Sequence, residues 1–206
     1  MATSLSLEND SSLAQGYLKV NGSTAATLTT SGITGNLTGN VTGSLTQGGS
    51  LTLATAQTAS GTSVDFTGIP SWAKRITVMF NLVLTSGTSQ VQIQLGSGTF
   101  SISGYSSTAS YSGTAGADAF ASTGFITEPV NAASPTITRS GLYQFILLGS
   151  NNWVGSGNIG TSINWLATNS CGGNSPTLSG TLDRIRITTI NGTDTFTGGT
   201  INISYE

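Results

Sequence analysis

The chain has 206 residues, a formal net charge of −2, one cysteine and no histidine. Charged residues make up only 7% of it, against roughly 25% in ordinary globular domains. That balance excludes a charge-rich disordered chain, offers no basic surface for nucleic acid or membrane, and removes Ser-His-Asp and Cys-His catalysis outright.

Residues 1–30 read as short β segments. Leu5 and Leu7 alternate with Ser4, Ser6 and Glu8, and a turn cluster follows at Asn9-Asp10-Ser11-Ser12. Tyr17 to Val20 then meets Asn21-Gly22, a strong hairpin signal, with Ser23 to Thr30 as the returning strand. The start of the chain has neither the basic segment nor the apolar core of a secretion signal, so synthesis in a reducing cytosol is expected. One cysteine, Cys171, allows no disulfide within the chain.

From Ile33 to Gln47 the sequence is ITGNLTGNVTGSLTQ, a four-residue repeat. Ile33, Leu37, Val41 and Leu45 recur at every fourth position. In an extended chain these aliphatics share one face with the intervening glycines. In a helix each glycine would cost about 1 kcal/mol relative to alanine. One such ribbon cannot bury its own apolar edge, so the repeat predicts the stalk of a homo-oligomer, three chains sharing an axis. Ile33, Leu37, Val41 and Leu45 are its expected trimer contacts. The competing reading of the same composition is a flexible linker.

A change in composition places a domain boundary near residue 58. Beyond it, strands and turns alternate every 8–14 residues. Arg75 to Leu84 is densely apolar and predicts a central strand covered on both faces. Val91, Ile93 and Leu95 alternate with Gln90, Gln92 and Gln94, predicting one core face and one wet face. Phe100 to Phe125 is looser, with two strands and long loops, and Leu142 to Leu148 is a second apolar strand. Trp153 and Ile163 to Leu166 suggest a further pair, and Thr168 to Ser179 a polar loop holding Cys171. Ile185 and Ile187 alternate with Arg184 and Arg186, Asn191-Gly192 turns the chain, and Ile201, Ile203 and Tyr205 close it. Eight or nine such strands fit a two-sheet β-sandwich of jelly-roll type. The expected fold is therefore all-β: residues 1–57 form an anchor and stalk, and residues 58–206 a jelly-roll-like head.

Little of this supports chemistry. One cysteine and scattered carboxylates make no zinc site, and no phosphate-binding loop or dinucleotide fingerprint is present. Two of the eight carboxylates would have to meet for glycoside hydrolysis. Their sequence setting suggests ion pairs instead, Asp183 with Arg184 and Arg186, and Asp65 with Lys74-Arg75. No cofactor and no enzymatic activity are expected. Trp153 on a predicted loop, flanked by Asn151, Asn152 and Asn158, is the candidate glycan contact, since aromatic faces stack on sugars. Core packing is the competing role for each tryptophan.

Two long segments, GIPSWAKRITVMFN (68–81) and LDRIRITTINGTDTFTGGTINISYE (182–206), resemble a C-terminal domain of bacteriophage tail-fibre-like and virion-surface proteins. IQLGSG (93–98), Gly104-Tyr105 and Cys171-Gly172-Gly173 look like interior parts of the same domain. The repeat at 33–47 is similar to linker segments of phage fibres. The resemblance implies a trimeric structural protein on the virion surface, assembled in the host cytoplasm, with no catalytic residues. Its expected partners are copies of itself and other virion proteins, the major capsid or a tail protein, met through the N-terminal region. At this length, capsid decoration or a head fibre is favoured over a short tail fibre. The alternative is a host-receptor (glycan) binding module at a fibre tip.

Overall fold

The computed structural model describes residues 5–10, 15–20, 23–29, 32–34, 51–112, 117–163 and 165–206. The chain divides into two compact units, Met1–Ser44 and Leu45–Glu206.

The first unit is one antiparallel sheet in sequence order: β1 (Leu5–Asp10), β2 (Gln15–Val20), β3 (Ser23–Thr29) and β4 (Gly32–Thr34). Val20 faces Ser23 across the two-residue connection Asn21-Gly22, which is the hairpin geometry that an Asn-Gly pair favours. Ile33, expected to open the stalk, pairs with Leu28 in β4. Leu37, Val41 and Leu45 lie outside the described residues.

The second unit is an antiparallel β-sandwich. In chain order its strands are β5 (Thr52–Leu53), β6 (Gln57–Thr58), β7 (Ser63–Thr67), β8 (Arg75–Thr85), β9 (Val91–Ser97), β10 (Thr99–Phe100) and β11 (Ser106–Ser112). They continue as β12 (Ala117–Ala121), β13 (Phe125–Ile126), β14 (Thr138–Gly149), β15 (Asn152–Ile163), β16 (Trp165–Asn174), β17 (Arg184–Thr189) and β18 (Phe196–Tyr205). The small sheet runs β10-β9-β17-β7, with β13 also on β9. The large sheet runs β12-β11-β16-β15-β14-β8-β18-β5, with β6 also on β18. Residues 52–58 therefore pair into the head, and the boundary lies earlier than the composition change near 58 suggests.

Alternation sets the core. Ile76, Val78 and Phe80 of β8, Tyr143 and Phe145 of β14, and Ile201 and Ile203 of β18 turn inward from the large sheet. Val64, Phe66, Ile93, Leu95, Ile185 and Ile187 meet them from the small sheet. Phe125 of β13 joins the layers, its ring centroid 4.9 Å from Phe145, 5.3 Å from Tyr105 and 5.7 Å from Tyr143. Burying one such side chain stabilises by about 1.5–3 kcal/mol.

Several local expectations change. The apolar run of β8 is not covered on both faces, because the strand bulges and leaves Leu82 exposed at a positive φ of 53°. The glutamines of β9 are not wet. Residues 123–128 cross their outer side, where Gln94 donates to the Thr123 carbonyl and Gln90 to that of Glu128. Cys171 lies in strand β16, not in a loop. Gly173 close by serves tight strand packing: a Cβ there would sit 2.1 Å from the Ser106 carbonyl oxygen.

Candidate functional site

The expected glycan contact is corrected first. Trp153 is 2% exposed and belongs to the core of β15, so neither ring face is open to a sugar. Its neighbours have structural roles. Ser150 and Asn151, with φ of 46° and 61°, form the two-residue turn between β14 and β15. Positive φ at both central residues defines the turn type that matches strand twist, and asparagine tolerates that conformation. Asn152 accepts a hydrogen bond from Thr177 Oγ1 at 2.8 Å. Asn158 points outward on β15, where its Oδ1 accepts from Ser170 Oγ at 3.2 Å. The structure thus scatters these four residues between core, turn and sheet surface. Tyr105 and Tyr143 are likewise buried.

The carboxylates do not assemble into a catalytic pair among the described residues. Asp65 pairs with Arg186 at 2.7 Å rather than with Lys74-Arg75. Asp183 pairs with Arg184 at 2.7 Å, Glu206 with Arg75 at 2.6 Å, and Glu128 with Arg139 at 2.8 Å. The Arg184 guanidinium, with the Gly98 amide, holds the Asp183 carboxyl below its usual range. Arg186 also lies 4.2 Å from the centroid of the Phe100 ring, a cation–π contact that fixes the guanidinium in place. Burial, helped by the Glu128 carboxylate, pushes the Cys171 thiol up to about 12. It therefore stays protonated and inert at neutral pH.

The remaining carboxylates of the head are Asp118 and Asp194. Asn191 Nδ2 and the Ser89 amide hold the Asp194 carboxyl below its usual range. Asp118 lines a groove of about 660 Å³ at the β12 edge of the large sheet. Small-ligand sites span roughly 300–1,000 Å³. Strand register builds the groove from two rows. Phe120 faces Thr108, which faces Gly172. Asp118 faces Ser110, which faces Ser170 and then Asn158. Neighbouring strands lie about 4.8 Å apart and alternate residues about 6.7 Å apart, so the rows frame a shallow rectangle on the outer face. Ala109, Ala121 and Cys171 take the alternate positions and face the core.

Phe120 is a functional candidate that the sequence does not single out within the loose stretch Phe100 to Phe125. It is 66% exposed. The signal was present in Ala117-Asp118-Ala119-Phe120-Ala121. A period of two places the small alanines together and sets the one aromatic beside the one carboxylate, the reverse of a core-facing pattern.

Comparison with known proteins adds no relative: no family model matches the chain, and neither a curated protein nor a solved structure is similar to it.

Proposed function

We propose that this chain is a non-enzymatic structural subunit of a bacteriophage particle, a homotrimer displayed on the particle surface. Capsid decoration or a head fibre fits its size before a short tail fibre does. Its N-terminal part, with Ile33, Leu37, Val41 and Leu45 as contacts between chains, couples the three copies and docks on other virion proteins.

The observation that carries this reading is the outer face of β14 and β15. Leu142, Ile146 and Val154 are all exposed there, with Ile146 and Val154 directly paired across the two strands. Leu148 follows at the end of β14, 75% exposed. Clustered aliphatics on the centre of a sheet mark an association surface. A chain with few charges is poorly protected from association, which suits a protein whose working state is an assembly. The segments carrying the phage resemblance add support, because residues 68–81 and 182–206 supply much of β8 and all of β17 and β18, interior strands of the two sheets.

Light scattering tests the assembly. The full chain is expected near three times 20.8 kDa. Ile146→Lys, which sets a charge in the aliphatic cluster, is expected to shift the mass toward one chain without lowering the melting temperature of the head. A parent chain that runs as a monomer would remove the trimer. A truncation used beside it should begin at Leu45, because a later start near residue 60 would delete β5 and β6 from the head's own sheet.

A further inference from the structure

We infer that the groove on the outer face of β12, β11 and β16 is a binding site for a neutral saccharide. The inference goes beyond the structural role proposed above and does not depend on it. Three observations converge on the ligand class.

The first is the aromatic. Phe120 sits on the edge strand, with its side chain open to solvent. An exposed ring has no packing reason to be there, and its π face is the natural partner for the weakly positive C–H face of a pyranose. The second is the polar set. Asp118 has no hydrogen-bond or ion-pair partner among the described residues, so both oxygens are free to accept from vicinal hydroxyls. Ser110 and Thr108 flank it with groups that both donate and accept. The third is charge. No Lys or Arg is among the described residues that line the groove, so a lone carboxylate repels phosphates, sialic acids and uronic acids and disfavours nucleic acid. A hydroxyl-rich neutral ring satisfies all three; an acidic glycan fails the third.

Gly172 sits at the inner end of the Phe120 row. A Cβ added there would meet the Gly155 carbonyl oxygen at 3.4 Å and Ser156 Cβ at 3.9 Å, ordinary contacts. A larger side chain at this position can therefore project into the groove without disrupting the sheet.

The test is a printed array of neutral hexose and deoxyhexose oligosaccharides beside sialylated and uronate-bearing ones, probed with the full-length protein. Calorimetry then follows with the neutral oligosaccharide that binds. Neutral glycans are expected to bind and acidic ones to give no signal. Phe120→Ala and Asp118→Asn should each weaken affinity about tenfold or more, the scale of one lost ring contact or charge-assisted hydrogen bond. Gly172→Val should block the groove. All three variants should keep the parent melting temperature, because each residue lies on the outer surface. Silence across the neutral glycans, preference for acidic ones, or undiminished binding by Phe120→Ala and Gly172→Val would overturn the site. A fall in solution mass of Phe120→Ala would overturn it too, by making the groove a contact between copies. An intact trimer that binds no glycan removes this site and leaves the structural role standing, whereas a monomer that binds does the reverse.

Discussion

Arg139→Met is expected to destabilise the head by about 3–5 kcal/mol, the cost of leaving a buried partner charge uncompensated. Arg139 and Glu128 are both fully buried. Glu128 Oε1 accepts from Arg139 Nε at 2.8 Å and from the Val91 amide at 3.0 Å. Glu128 Oε2 accepts from Thr127 Oγ1, and Arg139 Nη1 donates to the Ile137 carbonyl at 3.2 Å. The pair thus ties β9 of the small sheet to β14 of the large one. Removing the guanidinium strands a carboxylate between the layers. Chemical denaturation should show a lower midpoint with an unchanged slope. The double variant Arg139→Met with Glu128→Gln should recover much of the loss, because no charge is then left alone. Equal losses in the single and double variants would mean that packing, not charge pairing, dominates at this position.

Trp153→Ala is the second large effect, with an expected loss of about 3–5 kcal/mol from the cavity it opens. Trp153→Phe should cost less, since most of the apolar volume stays. The distinction matters for function. A tryptophan that contacts ligand loses binding at constant stability; this one should lose stability while any glycan bound at Phe120 is still held by the folded fraction. Unchanged thermal unfolding of Trp153→Ala would return Trp153 to the list of binding residues.

The contrast between Trp153 and Phe120 shows what periodicity conveys. Strands with clean alternation were legible: Ile185 and Ile187 against Arg184 and Arg186, Ile201 and Ile203 against Asn202 and Ser204. So was the pairing of β2 with β3, in which Val20 faces Ser23 across Asn21-Gly22. The β-sandwich itself followed from those elements. The Gln face of β9 was misread because its cover comes from residues 123–128, and a strand's own alternation says nothing about a segment some thirty positions away. Cys171 and its glycines read as a loop because Gly, Asn and Ser favour turns. In β16 Gly173 is there because β11 approaches it closely. Trp153 read as a loop residue because Asn151 and Asn152 precede it; Ser150 and Asn151 form the tight turn, and the strand begins at Asn152. The groove was hidden for a different reason. It needs Thr108, Asp118, Phe120 and Ser170 from three strands, and only register brings them together.

The central claim is that this protein is displayed on a phage particle. The most direct measurement is electron microscopy of intact particles, from the host that carries this sequence, labelled with gold-conjugated antibody raised against the head. The account predicts label on the surface of undisrupted particles, at regularly repeated positions on the capsid. Label absent from intact particles, with the protein found only in the soluble fraction of the lysate, would contradict it.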